Sequence, residues 1–88
     1  HYHLAESLYR LAEYPAAVQY YDLAFEAGEM TRTESIHALF HRAESLQRSD
    51  RTREALEAYR LFVQRYDSHY WAPTARQRID QLADIVGD

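Results

Sequence analysis

The feature that most constrains this chain is an internal repeat with a period of 38 residues. The segment His3–Arg10 (HLAESLYR) returns as His41–Arg48 (HRAESLQR), with histidine, glutamate, serine and arginine matching as well as the apolar positions. In the segment that follows, two further positions recur in the same register: Ala17 with Ala55, and Tyr21 with Tyr59. A period between about 20 and 50 residues is typical of arrays in which stacked units bury a shared core.

Helices are the only elements that the patterning favours. Glycine occurs only at Gly28 and Gly87 and proline only at Pro15 and Pro73, and alternation with a period of two is nowhere sustained. Apolar residues instead recur at spacings of three and four. They form five stripes: Leu4, Leu8 and Leu11; Ala17, Val18, Tyr21, Ala24 and Phe25; Ile36, Leu39, Phe40, Ala43 and Leu46; Ala55, Leu56, Tyr59, Phe62, Val63 and Tyr66; and Ala75, Ile79, Leu82 and Val86.

Local signals predict where the first three helices meet. Pro15 disfavours the α conformation at Tyr14 and sets its own φ for a new first turn, so a break is expected between helices one and two. Gly28 can close the second helix in a left-handed conformation. Thr31 followed by Glu34 is a capping box, which predicts the start of the third helix.

The later breaks carry polar residues. The segment 49–52 (SDRT) predicts a hinge before the fourth helix. Asp67 and Ser68 offer capping oxygens for the fifth helix. That helix starts either at Ser68 or nearer Trp71, because Pro73 deep inside it would remove a hydrogen bond.

Composition excludes several classes of function. The chain has no cysteine, so disulfides, thiolate zinc sites and thiol nucleophiles are excluded. A net charge of −4 disfavours nucleic acid as a partner, because sequence-independent phosphate binding needs a basic surface. No apolar run approaches the roughly 18 residues of a membrane span, so direct membrane insertion is not expected.

The histidines make a metal site one of the alternatives to consider. Glu34 and His37 form a Glu-x-x-His pair, and His41 lies one turn further on. A di-iron bundle needs a second such pair and two further glutamates from facing helices, and this sequence holds no second Glu-x-x-His pair. We therefore expect solvent-facing histidines with no metal and no cofactor, and keep a metal-dependent helical-bundle enzyme as the least favoured alternative.

Other catalytic patterns are missing too. Glu6 and Glu44 recur in equivalent places and could pair for acid–base chemistry, but Arg10 and Arg48 follow each by four residues. That spacing predicts two ion pairs on helix surfaces. Nucleophile elbows and glycine-rich phosphate loops do not occur, so the chain is not expected to be an enzyme.

Small and large residues in equivalent places resemble the tetratricopeptide repeat pattern. The matching positions are Ala5, Leu8, Ala17, Tyr21 and Ala24 in the first unit, and Ala43, Leu46, Ala55, Tyr59 and Phe62 in the second. The second unit departs from the pattern with Arg42 in place of leucine and Phe62 in place of alanine. The resemblance implies an all-α, right-handed solenoid of two helix pairs, plus a C-terminal helix that caps the second unit or starts a third.

The resemblance also implies a division of the chain into units. One domain spans residues 1–88, with repeat 1 at 1–29, repeat 2 at 31–67 and a terminal helix at 68–86. Solenoids generally need about three units to bury a continuous core. We therefore expect this domain to be a piece of a longer array.

Residues 55–82 resemble one branch of the family. The segments 55–66 and 70–76 are similar to barrel-assembly outer-membrane lipoproteins and to periplasmic proteins of the Tol-Pal system, which usually have Tyr-Pro where this chain has Tyr66 and Asp67. This resemblance implies a bacterial protein of the periplasm or cell envelope. The cytoplasm is the alternative location.

A binding surface follows from the resemblance. In such arrays the first helix of each pair lines a concave groove, and aromatic and arginine side chains dominate the energy of peptide binding. The residues expected there are Tyr2, Glu6, Tyr9, Arg10, His37, Phe40, Glu44, Gln47 and Arg48. The sequence thus predicts a non-enzymatic scaffold for a protein or peptide partner. The alternatives are self-assembly into homo-oligomers through the stacked ends, and a face that further repeats cover.

Overall fold

Five helices follow one another in residues 1–87, the part of the chain that this computed structural model describes. They are α1 (Tyr2–Arg10), α2 (Tyr14–Ala27), α3 (Arg32–Arg48), α4 (Thr52–Arg65) and α5 (Ala72–Val86). No residue in this part lies in a β-strand. The predicted all-α fold and its five helices are therefore confirmed.

Each helix packs against the one before it, and α1 also contacts α3. Two groups of buried side chains result, one where α1 and α2 meet Ala38 of α3, and a larger one between α3, α4 and α5. Phe25 of α2 packs against both groups and so links them. The first helices of the pairs, α1 and α3, thereby lie side by side.

The turns within the two helix pairs are equivalent. Ala12 after α1 and Asp50 after α3 both adopt a left-handed conformation with φ of 60°. The Glu13 amide donates to the Leu8 carbonyl at 2.8 Å, and the pair 38 residues later makes the same bond at 3.0 Å. This bond, five residues back to the last turn of the helix, is the pattern of a Schellman motif. The repeat in sequence is therefore also a repeat in backbone conformation.

The end of α2 and the start of α3 are as predicted. Gly28 closes α2 with φ of 67°, and Thr31 and Glu34 form the capping box of α3 with bonds of 3.1 and 3.0 Å. The first break differs from the prediction, because left-handed Ala12 ends α1 while Tyr14 is already the first residue of α2. Pro15 lies within the first turn of α2, where its missing amide costs nothing.

The start of α5 confirms the predicted position near Trp71, but the predicted caps are wrong. Neither Asp67 nor Ser68 caps the helix, which begins at Ala72 after Trp71. The Ala72 amide donates to the His69 carbonyl at 2.9 Å, so a backbone turn leads into the helix. Pro73 then falls in the first turn of α5, where proline is tolerated.

The positions assigned to the repeat pattern form the core. All ten except Leu8, which is half-buried, are buried: Ala5, Ala17, Tyr21, Ala24, Ala43, Leu46, Ala55, Tyr59 and Phe62. The predicted stripe on α1 is wrong in part, since Leu4 is 47% and Leu11 71% exposed. Both side chains therefore keep apolar surface in contact with water.

The two residues of the second unit that depart from the repeat pattern each make a specific contact. Arg42 on α3 donates from Nε to Asp22 of α2 at 2.6 Å, so an ion pair between the helix pairs replaces an apolar contact. Phe62 is buried against Phe40, Tyr66 and His69, with ring centroids 5.3 to 5.8 Å apart. An aromatic contact therefore fills the space at that position of α4.

Candidate partner-binding face

One side of α1, α3 and the first half of α5 gathers four of the nine residues predicted to bind a partner, together with three others. We call this surface the A-face and define it by side chains that contact one another or the buried Glu6: Tyr2, Tyr9, His37, His41, Glu44, Trp71 and Arg78. Two carboxylates, the buried Glu6 beneath this face and the half-buried Glu44 within it, each have their own hydrogen-bond network.

The first network surrounds Glu6, which is 7% exposed. Its carboxylate accepts hydrogen bonds from the Tyr21 hydroxyl, from His41 Nδ1 at 2.7 Å and from the Tyr2 hydroxyl at 3.3 Å. Burial alone would raise the pKa of Glu6, but the bonds from His41 and Tyr21 outweigh it and hold that pKa below its ordinary value. Glu6 thus ties α1 to α2 and to the next helix pair.

The second network surrounds Glu44. Its two oxygens accept from the Tyr9 hydroxyl at 2.6 Å and from Arg78 Nη1 at 2.7 Å. Arg78 also donates to the Tyr59 hydroxyl at 3.0 Å, and Tyr59 donates to Gln47 at 2.7 Å. Burial and the carboxylate of Glu44 raise the pKa of Tyr9, and burial raises that of Tyr59 to about 12, so both phenols stay protonated donors at neutral pH.

The two networks repeat the same connection. Each glutamate binds a cationic or imidazole side chain of the next first helix, His41 for Glu6 and Arg78 for Glu44. The expected ion pairs with Arg10 and Arg48, four residues on, are not formed within residues 1–87. The glutamates point into the junctions between helices, where their charges are compensated, and Arg10 and Arg48 are left on the surface.

Aromatic rings cover these networks. Tyr9 stacks on His41 with centroids 4.1 Å apart and planes 14° from parallel. The ring centroid of Trp71 lies 5.1 Å from that of His37, 4.9 Å from that of Phe40 and 5.7 Å from that of His41. These rings, which are half-buried except for the buried Phe40, restrict one another and form a continuous aromatic surface along the A-face.

The predicted binding residues do not all reach this surface. Glu6 and Phe40 are buried and can act only through their neighbours. Arg48 is exposed and lies over the Tyr14 ring at 5.8 Å, and Arg10 is exposed with no hydrogen bond or ion pair to other residues in 1–87. The half-buried members of the predicted set are Tyr2, Tyr9, His37, Glu44 and Gln47.

Three residues of the A-face were absent from the prediction. Arg78 lies 38 residues after Phe40 and 76 after Tyr2, so extending the repeat into α5 would have found it. His41 is the repeat equivalent of His3 and is predicted to face solvent, whereas its side chain is only 17% exposed. Trp71 gave no periodic signal, since it precedes α5 and reaches the face through the α4–α5 turn.

The alternative of a metal site gains no geometric support. Glu34 is engaged in the capping box of α3, and His41 Nδ1 is bound to Glu6. Among residues 1–87 no three histidine, aspartate or glutamate side chains are grouped so that they could hold a metal ion. In the same residues no helix combines the length and the apolar character that crossing a bilayer requires.

Comparison with known proteins gives one match. Residues 37–69, from the middle of α3 through α4 to the α4–α5 turn, match a family model described as tetratricopeptide repeat. Together with the five helices, this match supports a tetratricopeptide repeat protein with an all-α helical-repeat fold. No curated protein and no solved structure matches the chain, so the resemblance to the envelope branch stays a prediction.

Proposed function

We propose that this chain is a non-enzymatic scaffold that binds an extended peptide segment of a partner protein on the A-face. Tetratricopeptide repeats generally mediate protein–protein interaction, and residues 37–69 match that family. The observation that carries the proposal is the ring surface of Tyr9, His41, His37 and Trp71, which is half-buried, aromatic and continuous from α1 to the start of α5.

The buried networks support this role because they fix the rings before any ligand arrives. Tyr9 is held by its bond to Glu44 and by stacking on His41, which is itself held by Glu6. Binding then costs less side-chain entropy, since the rings are already ordered. Arg48, exposed at the end of α3, offers a polar contact at the rim of the same face.

The proposal assigns one binding helix to each unit. Repeat 1 (1–29) contributes α1, repeat 2 (31–67) contributes α3, and the terminal segment (68–86) contributes Trp71 and Arg78. The equivalence of the two turns at Ala12 and Asp50 supports these boundaries. A place in the bacterial cell envelope is a further part of the proposal, supported by the resemblance of residues 55–82.

The test uses the only tryptophan of the chain as its reporter. Peptides would be selected from a random displayed library against the immobilised chain and titrated while Trp71 fluorescence is followed. We expect a saturable change, and His37→Ala should raise Kd about tenfold, as expected for a residue near the centre of an interface. Tyr70→Ala is the matched control, because Tyr70 neighbours Trp71 in sequence but is 86% exposed.

Folding of each variant is checked by circular dichroism before binding is compared. If the selected peptides bind His37→Ala as tightly as the parent and leave Trp71 emission unchanged, the A-face is not the binding surface.

Self-assembly is a second candidate, supported by apolar side chains exposed on the first and last helices. Leu4 of α1, Leu11 directly after it and Ile85 of α5 are exposed, and contact between them would bury apolar surface between copies. Light scattering over a concentration series distinguishes the candidates, because only self-assembly predicts a mass that rises with protein concentration. A constant monomer mass would remove this candidate.

A further inference from the structure

A cleft next to the A-face is lined by other residues. It has a volume of about 460 Å³ and opens between the start of α3 and the connection from α4 to α5. Its lining residues are Arg32, Arg65, Tyr66, Asp67, Ser68 and His69. None of them belongs to the surface proposed to bind a peptide.

The two arginines of this cleft have no ion-pair partner among residues 1–87. Arg32, the first residue of α3, lies with Cζ 5.8 Å from the centroid of the Tyr66 ring. Such a cation–π contact positions the guanidinium plane and leaves its N–H groups able to donate to oxygen. Within residues 1–87 neither Arg32 nor Arg65 makes an ion pair, in contrast to Arg42 and Arg78.

His69 adds a donor whose tautomer is fixed. Its Nδ1 accepts a hydrogen bond from the Trp71 amide at 3.0 Å, so in the neutral ring the proton is on Nε2. The ring is held edge-on to Phe62 and Trp71, with centroids 5.8 and 5.4 Å away. The imidazole is therefore positioned by the fold and keeps one N–H to donate.

The charge of this cleft is opposite to that of the whole chain. Two arginines and one aspartate give a local sum of +1 with His69 neutral, while the chain carries −4. The single acid, Asp67, accepts from the Ser68 hydroxyl at 3.2 Å. Arg76 donates to the Asp67 carbonyl at 3.1 Å and so fastens the turn that forms one wall.

We propose that this cleft binds an oxyanion, a phosphate or carboxylate group, between Arg32 and Arg65. Guanidinium groups match the oxygens of both anions because their parallel N–H donors form paired, charge-assisted hydrogen bonds. His69 supplies a further neutral donor, and Asp67 limits affinity by repelling the anion.

Inorganic phosphate is the first probe, titrated at constant ionic strength while the side-chain N–H signals of Arg32 and His69 are followed by NMR. Saturable shifts are expected. Arg32→Gln and Arg65→Gln should each raise Kd about threefold, in keeping with exposed charge pairs. Asp67→Asn should lower Kd by a similar factor, because it removes the one repulsive charge.

Arg53→Gln is the control, since it removes the same charge from an exposed position on α4 that lines a different cleft. Shifts that do not saturate, or equal weakening in Arg53→Gln and Arg32→Gln, would show only a response to net charge and overturn the proposal. Acetate and a phosphoserine peptide then identify the source of the anion. Tighter binding of the peptide than of phosphate assigns the site to a protein partner, and equal binding assigns it to a free anion.

Discussion

At the scale of single residues, the buried Glu6 and the half-buried Glu44 connect the helix pairs. Glu6 and Glu44 occupy equivalent positions, and each is bound to tyrosine and to a side chain of the following first helix. Spacing along one helix suggested surface pairs with Arg10 and Arg48, because it reveals only neighbours on the same helix. Tyr2 is one turn from Glu6 on α1, but the other partners lie 15 to 35 residues away, so only the packed structure identifies them.

Glu6 makes stability depend on pH. Its pKa is lowered in the folded chain, so its contribution is present above the unfolded value of 4.5 and is lost as the pH falls through the folded value. Glu6→Gln should reduce the free energy of unfolding at pH 7 by about 2 kcal/mol, because charge-assisted hydrogen bonds are lost. Urea unfolding at pH 7 and below pH 4.5 measures both effects.

Glu26→Gln is the control for this prediction, because Glu26 is an exposed carboxylate on α2. It should leave the unfolding curve nearly unchanged. Equal loss of stability in the two variants at pH 7 would mean that the Glu6 network does not hold the helix pairs together.

Ala12 carries strain that glycine would relieve. The left-handed conformation costs alanine about 1–2 kcal/mol, and glycine avoids this cost. Part of the resulting gain in stability is lost, because glycine has a larger conformational entropy in the unfolded chain. We expect Ala12→Gly to stabilise the chain by about 0.5–1 kcal/mol, measured by thermal melting. Asp50→Gly, at the equivalent turn, should gain less because aspartate tolerates this conformation better. An Ala12→Gly variant that melts no higher than the parent would contradict the assigned turn.

At the scale of helices, small residues set how closely neighbours approach. Ala17 and Ala55 are fully buried at equivalent positions of α2 and α4. Ala17→Leu or Ala55→Leu should destabilise by about 1–3 kcal/mol through overpacking. Thermal melts test this, with Ala27→Leu on the exposed end of α2 as the control. Melting temperatures that match the parent for the buried variants would contradict the close crossing.

Helices and their ends were predictable to different degrees. Periodic apolar residues predicted all five helices, and the left-handed Gly28 at the end of α2 and the Thr31–Glu34 capping box of α3 were predicted correctly. The predicted start of α5 near Trp71 is also correct, but the predicted caps Asp67 and Ser68 are wrong, because a backbone turn and the His69–Trp71 bond lead into the helix. Such contacts depend on how the chain folds back and leave no periodic signal.

At the scale of the whole molecule, the buried networks and the ring surface form one connected structure. Tyr9 belongs to the Glu44 network and stacks on His41, which belongs to the Glu6 network. The sequence predicted which face of α1 and α3 to consider, but burial of Glu6 and Phe40 within that face follows only from neighbouring helices. The surface proposed to bind a partner therefore extends to the start of α5 and includes Trp71.

The most direct test of peptide binding on the A-face is the NMR signal of the Trp71 indole N–H during titration with a selected peptide. If the peptide binds on the A-face, this signal shifts saturably and the other large shifts lie at Tyr9, His37 and His41. The contradicting result is saturable binding that leaves the Trp71 signal in place while the largest shifts lie at exposed residues of α2 and α4, such as Gln19 and Glu57.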